Sequence, residues 1–303
     1  MTFVRILFLA LFFQTPLVTS PQNLPVFNNI KFGDTINTVY QSLIGISDSL
    51  KVIKNDNPIF PLSRNKEAHL LTYKIRLKNG TLDKAVFTFT DSGLSYVECQ
   101  GNVLNVFTTN RVGKSQKFLD FDVYINDLLF VNPTKDAAWI LTKESVHPNL
   151  FTWNNPLLGD PESKIAYNSS AKLPDFIATG HSFQDLLPGF KRESQIIKVD
   201  TLDGSDPNAQ IQINCYGIEY AGFPRKFEAR FGNNKLNMIW ILTGKEEEAR
   251  IRKKLIEAYG EAIFINDKWE FYKDWTVALR KDKPEILFVS KQLGLEYKKQ
   301  LID

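Results

Sequence analysis

Residues 226 to 242, KFEARFGNNKLNMIWIL, alternate apolar and polar side chains on both sides of an Asn-Asn pair, the period of two half-buried strands joined by a tight turn. An echo of this stretch, KAVFTFTDSGLSYVEC, occupies residues 84 to 99. Phe231 and Leu236 are five residues apart around GNNK, and Phe89 and Leu94 are five apart around TDSG, so different turn residues specify one hairpin geometry. Upstream, IKFGDTINTVYQSL places Ile36, Val39, Tyr40 and Leu43 at three, six, seven and ten residues after Gly33. IATGHSFQDLLPGF places Phe183, Leu186, Leu187 and Phe190 at the same offsets from Gly180. Both are the stripe of a helix that buries one face, and Pro188 is expected to cut the second helix to a turn or two. From glycine to hairpin phenylalanine the copies take 56 and 51 residues. The chain reads as one unit written twice.

Two downstream pairs extend the echo. YIND (residues 124 to 127) is matched with FIND (264 to 267), and Trp139 and Pro148 of WILTKESVHP with Trp275 and Pro284 of WTVALRKDKP, each proline leading a short apolar strand. Each copy then comprises a helix, a run of antiparallel strands, a second helix and two further hairpins. In TGKEEEARIRKKLIEAYG, Thr243 and Glu246 fit a capping box and Gly260 a C-terminal stop. Ile251, Leu255 and Ala258 or Tyr259 are expected to form its buried face, while Glu246 with Arg250 and Glu248 with Arg252 read as exposed pairs on a solvated face. The counterpart around VLNVFTTNRVGKSQKFL is weaker. The fold class expected is α+β: two tandem similar domains, each an antiparallel sheet with helices packed on one face. Their bounds are 24–155 and 173–303, joined by a linker over 156–172 that is rich in Pro, Ser, Asn and charge.

MTFVRILFLALFFQTPLVTS has Arg5 before an apolar run from Ile6 to Phe13, the layout of a signal peptide over residues 1–20 and too short to span a bilayer. A secreted or periplasmic protein with no integral membrane segment after signal removal is expected. Lys and Arg exceed Asp and Glu by one in residues 24–171 and by one in residues 172–303, which argues against a nucleic-acid partner. Cys99 and Cys215 sit in apolar strand patterns and read as buried thiols rather than a disulfide framework. Asn79-Gly-Thr81 and Asn168-Ser-Ser170 match the N-glycosylation sequon.

Motifs of chemistry are missing from the sequence. His69, His147 and His181 have no second ligand type at metal spacing, and the HExxH, CxxC and Gly-x-Ser-x-Gly patterns do not occur. DTLDGSDPN (200 to 208) reads as a polar hairpin turn rather than a calcium loop. FLDFD is expected to put Asp120 and Asp122 on one side of a strand, the nearest approach to a carboxylate pair. No catalytic residue, cofactor or metal is assigned. The remaining signal is aromatic: Trp269, Phe271 and Tyr272 of KWEFYKDW, and Tyr220 and Phe223 of CYGIEYAGFP, form a candidate contact surface for a protein or a sugar ring.

The Gly-then-helix openings FGDTINTVYQSL and TGHSFQDLLPGF, with the hairpins VFTFTDSGLSYV and FEARFGNNKLNMI in tandem, resemble a broad group of exported bacterial α+β repeat proteins. That group includes the β-lactamase-inhibitory-protein-like and small outer-membrane-assembly-lipoprotein-like proteins. The chain departs from their pattern by a helix and two hairpins after the first strands and by having no lipidated cysteine. The resemblance implies a protein-binding or inhibitory role, with another exported or envelope protein as partner. A carbohydrate-binding module and a hydrolase with a dispersed carboxylate pair are the alternatives.

Overall fold

The computed structural model describes residues 24–27, 29–111, 113–159 and 170–302. The expected signal peptide and residues 160–169 of the linker lie outside them. Among the described residues no helix is long and apolar enough to cross a membrane.

The first repeat contains α1 (Ile36–Leu43), β1 (Ser49–Asn55), β2 (Glu67–Leu77), β3 (Gly80–Thr90), β4 (Gly93–Gln100), α2 (Val103–Thr108), β5 (Gln116–Phe118), β6 (Phe121–Tyr124), β7 (Leu129–Asn132), β8 (Ala137–Leu141) and the single turn α3 (Lys143–Val146). The second contains α4 (Phe183–Glu193), β9 (Ile196–Thr201), β10 (Ile211–Tyr220), β11 (Phe223–Gly232), β12 (Lys235–Leu242), α5 (Glu248–Tyr259), β13 (Phe264–Ile265), β14 (Trp269–Tyr272), β15 (Val277–Arg280), β16 (Glu285–Val289) and α6 (Lys291–Ile302). Each repeat builds one antiparallel sheet of eight strands. The orders are β1-β2-β3-β4-β8-β7-β6-β5 and β9-β10-β11-β12-β16-β15-β14-β13, which are the same path through two sheets.

The likeness extends to irregularities, which have little reason to coincide in unrelated sheets. Both hairpins carry a register shift at the equivalent place, between Thr88 and Phe89 and between Arg230 and Phe231. Gly33 and Gly180 both take φ of 86°, a left-handed conformation that favours glycine. In each copy this kink clips the helix entry to the start of a strand. Gly33 N–H donates to the Leu94 carbonyl at 2.9 Å and Gly180 N–H to the Leu236 carbonyl at 2.8 Å. Leu94 N–H returns a bond to the Asp34 carbonyl and Leu236 N–H to the His181 carbonyl, each at 2.9 Å. Thr35 and Ser182 then cap α1 and α4 through their hydroxyls.

The downstream matches were out of register by one hairpin. YIND lies between β6 and β7, whereas FIND overlaps β13 and the turn into β14. Trp139 is central in β8, while Trp275 lies in the turn between β14 and β15. Short sequence identities misled because an Asn-Asp turn serves any hairpin. Residues after Pro148 form a 3-10 turn, Leu150–Thr152, and not a strand. Pro188 does not shorten α4, which runs for 11 residues. The proline removes one helical hydrogen bond, and burial of Leu186 and Phe190 outweighs that loss.

Alternation along the strands divides each sheet into two packed faces. On the inner face Val39 and Leu43 of α1 and Val103, Val106 and Phe107 of α2 share a buried cluster with Phe87, Val97 and Ile140. In the second repeat Leu186 and Phe190 of α4 and Ile251 and Leu255 of α5 cluster with Ile213, Ile239 and Ile241. The last helix belongs elsewhere: Leu293 of α6 clusters with Met238, Trp240 and Phe271, which alternate with those residues and so line the outer face. Cys99 and Cys215 are both free and buried, one in each inner core.

The repeats are packed on each other. Phe60, Tyr96, Trp139, Phe151 and Trp153 of the first form one buried cluster with Tyr216 and Phe223 of the second. Gly244 enters this seam so closely that a Cβ would overlap the Pro61 carbonyl oxygen. Gly244→Ala should therefore lower stability by about 1–3 kcal/mol in urea unfolding, the cost of overpacking a close-packed contact. Gly45→Ala, where nothing lies within 4 Å of the added methyl, should change the midpoint little.

Candidate functional site

Two features stand out from the scaffold: a charged cluster buried in the seam, and a polar half-face on the second sheet. In the seam, the Phe223 ring lies 5.4 Å from Trp153 and 6.3 Å from Phe60 of the first repeat. The guanidinium groups of Arg225 and Arg250 approach the same ring at 5.4 and 5.8 Å. Arg225 is fully buried and forks onto Glu247, with Nη1–Oε1 and Nη2–Oε2 distances of 2.5 and 2.8 Å. Arg250 also donates to Glu247, and its Nη1 donates to the Ala221 carbonyl at 2.6 Å. Glu247 accepts the Gly244 N–H at 2.7 Å and so caps the helix entry. Burial pushes its carboxyl up, but the two guanidinium groups outweigh burial and hold it below the usual range.

This corrects the reading of the KEEE run as a wholly solvated face. Glu247 is buried, and Arg250 pairs with it rather than with Glu246. Glu246 reaches across the seam to Arg64 at 3.0 Å, and only Glu248 keeps its expected partner, Arg252, at 2.6 Å.

A second buried group fastens the chain between the repeats. Residues 150–158, following α3, cross the outer face of the first sheet as a strap. Tyr96 Oη lies 3.3 Å from each of Glu98 Oε2, the Leu150 carbonyl and the Trp153 carbonyl. Asn155 N–H donates to Glu98 Oε2 at 2.7 Å, and Trp139 Nε1–H donates to the Trp153 carbonyl at 3.0 Å. One hydroxyl proton thus faces three acceptors, and a protonated Glu98 supplies a second. Burial, only partly offset by the Asn155 and Tyr96 hydrogen bonds, raises the Glu98 pKa from 4.5 to about 8.

On the first sheet's outer face, His69 Nε2 lies 3.0 Å from Glu67 Oε1, and His69 Nδ1 lies 3.0 Å from Thr88 Oγ1. Carboxylate, imidazole and hydroxyl stand in the order of a nucleophile relay, but Thr88 has no exposed surface, so no substrate reaches Oγ1. Glu67 also accepts the Ile59 and Phe60 N–H groups at 2.7 and 2.9 Å, which anchors the seam loop.

The second sheet's outer face is different. Lys226 Nζ donates to Glu228 at 2.5 Å, and Arg230 donates to Glu228 at 3.0 Å and to Gln212 at 2.8 Å. Gln212 donates to Asn214 at 2.8 Å, Asn214 to Asp200 at 2.9 Å, and Lys198 pairs with Asp200 at 2.6 Å. The ladder spans β9, β10 and β11. Burial raises the Glu228 carboxyl, and Lys226 and Arg230 more than reverse this. At the seam end of the ladder, His147 Nε2 lies 3.2 Å from the Pro284 carbonyl, joining α3 to the β15–β16 turn.

The five aromatic residues read from sequence as a contact surface are placed mainly inside. Phe271, Tyr272, Tyr220 and Phe223 are buried, the first three in cores of the second repeat and Phe223 in the seam. Trp269 is half-buried, its ring within 6.2 Å of those of Trp240, Phe271 and Tyr297 and capped by Arg280 at 5.5 Å. Eight clustered aromatic and charged residues looked like a surface because alternation cannot tell a solvent face from one roofed by α6. Asp120 and Asp122 also fail to pair: Asp120 is in the β5–β6 turn, and Asp122 is bound to Lys117 at 2.8 Å. Among the described residues, no group of three His, Cys, Asp or Glu side chains could hold a metal.

Sequence reasoning missed Glu67–His69–Thr88 and Arg225–Glu247. Glu67 and His69 are two apart on one strand and so share a face, a signal readable in principle, but the Thr88 partner depends on the β2–β3 register. No family model matches the chain, and no curated protein or solved structure shows significant similarity to it.

Arg225→Met should destabilise by about 3–5 kcal/mol, because Glu247 remains buried with one partner fewer. Chemical denaturation at neutral pH checks this, and Arg64→Met, which removes an exposed partner, should cost under about 1 kcal/mol. For Glu98 the folded state holds its proton more tightly than the unfolded chain. Its stabilising contribution is complete below pH 4.5 and is lost as pH rises through about 8. Glu98→Gln should therefore exceed the parent in stability above pH 8, by on the order of a few kcal/mol, and the difference should vanish towards pH 4.

Proposed function

We propose that the chain is an exported, non-enzymatic binding protein whose contact surface is the polar half of the second repeat's outer face. The observation that carries this reading is a difference between two otherwise matched sheets. Positions Leu71 and Val86 of the first repeat, paired across β2 and β3, are covered by Leu158 of the strap. By register their counterparts are Asn214 and Glu228, which hydrogen-bond to Asp200 and to Lys226 and Arg230 where the first repeat is apolar. A face that stays polar where its twin is apolar and roofed suits an external partner. The N-terminal layout supports export and thus a partner outside the cytoplasm.

The test uses the full chain immobilised in native envelope extract. One stoichiometric partner should be retained by the parent protein and lost by Glu228→Val with Arg230→Thr, which installs the first repeat's residues, while Leu104→Lys on α2 retains it. Equal retention by all three proteins, or no stoichiometric partner, would sink the reading.

A further inference from the structure

The two repeats also differ at the turns of their long hairpins. Leu77 and Gly80 are the last pair before the β2–β3 turn, as Tyr220 and Phe223 are before the β10–β11 turn, so Leu77 stands where the second repeat has Tyr220. On the preceding helix Leu43 stands where it has Phe190. Both of those rings are buried, and Tyr220 Oη donates to the Ala171 carbonyl at 2.7 Å. The Tyr259 hydroxyl at the end of α5 donates to the same carbonyl at 3.2 Å, and Ala221 N–H donates to the Ser170 carbonyl at 3.0 Å. The hairpin turn is thereby tied to the segment before α4.

The first repeat leaves the matching place open. Its leucines are smaller than Tyr and Phe, and α2 stops at Thr108 after 6 residues where α5 runs for 12. The result is a cleft of about 370 Å³ between the chain at Phe27 and Ile30, the end of α1, the β2–β3 turn and α2. That volume lies at the small end of ligand pockets. Phe27, Leu43 and Val106 are buried and give the cleft an apolar floor, with Phe27 set edge-on to Phe87 at 5.2 Å. Val26 in the wall has φ of 61°, a strained value for a β-branched residue and of the kind that gathers at ligand clamps.

The rim is cationic. Arg76 and Lys78 line it and are both exposed. Asp48 pairs with Arg76, whereas Lys78 has no ion-pair partner among the described residues. Asn79 donates to the Thr109 carbonyl at 2.9 Å and so fixes the turn that carries Lys78 against the end of α2. Two cations against one carboxylate leave a single positive charge above an apolar floor, which matches a small apolar molecule ending in one carboxylate.

We infer that this cleft of the first repeat binds a free monocarboxylic acid with a short apolar chain, the chain lying among Phe27, Leu43 and Val106 and the carboxylate at Lys78 and Arg76. The site shares no residue with the protein-contact face proposed above and stands or falls apart from it.

Octanoate is the probe, titrated into the full chain by isothermal calorimetry, with 1-octanol as its uncharged match. One saturable site should appear, holding octanoate about tenfold or more tighter than 1-octanol. Leu77→Tyr, which installs the second repeat's residue, should fill the cleft and abolish binding. Lys78→Ala does the same at an exposed position and keeps the test valid if Leu77→Tyr folds poorly. It should weaken octanoate about tenfold and leave 1-octanol unchanged. No saturable site, octanoate no tighter than 1-octanol, or octanoate affinity unchanged in Lys78→Ala overturns the inference. Binding that survives in a folded Leu77→Tyr protein puts octanoate elsewhere and overturns it as well.

Discussion

Phe223 is the point on which the two repeats turn. Its ring packs against aromatic rings of the first repeat and against the guanidinium groups of Arg225 and Arg250. Those cations are tolerable in a dry seam only because Glu247 lies between them, and Glu247 is positioned because its carboxylate also caps the entry to α5. Helix entry, ion pair and interface are thus one arrangement. The aromatic roof from Phe60 and Trp153 excludes water and strengthens the ion pair, and the ion pair fixes the surface against which that roof packs.

Around this seam the chain uses one scaffold in two ways. Strand order, hairpin irregularity and glycine clip are shared. The chain following the last strand is not. After β8 it makes a single helical turn and then straightens into a strap; after β16 it continues as the 12-residue α6. The strap fills the outer face of the first sheet completely enough to bury Glu98. Helix α6 covers the apolar strands of the second sheet, and the polar ladder beside it runs from exposed Lys198 through buried Asn214 and Lys226 to half-buried Arg230. Function is expected where the matched surfaces differ, because the shared positions are already committed to holding the sheets together.

Much of the architecture was legible in residue spacing. The apolar stripes after Gly33 and Gly180 and the hairpins at Phe89 and Phe231 are local, and local geometry has a short period that sequence displays directly. The expected layout of a helix, strands, a second helix and two hairpins matches the observed element order as far as β8 and β16, but it did not include α3 or the 12-residue α6 that follow them. Registration failed where it relied on Asn-Asp and tryptophan identities, since a turn dipeptide does not say which hairpin it closes. The candidate surface was hardly legible. Lys226, Glu228 and Arg230 are visible as an alternating charged run, but an identical run could lie under a roof, as the aromatic residues of KWEFYKDW do.

By itself, then, the sequence determined the repeat, its period, its inward-facing residues and the near-neutral charge of both halves, because these depend on neighbours within a turn or a strand. Tertiary structure alone decided that Glu247 is a buried counter-ion, that Glu98 holds a proton beneath a strap, and that Phe223 joins the repeats rather than meeting a partner. Each of those roles is set by a group dozens of residues away that the fold brings within a few ångströms, and burial by a distant segment leaves no mark on local periodicity.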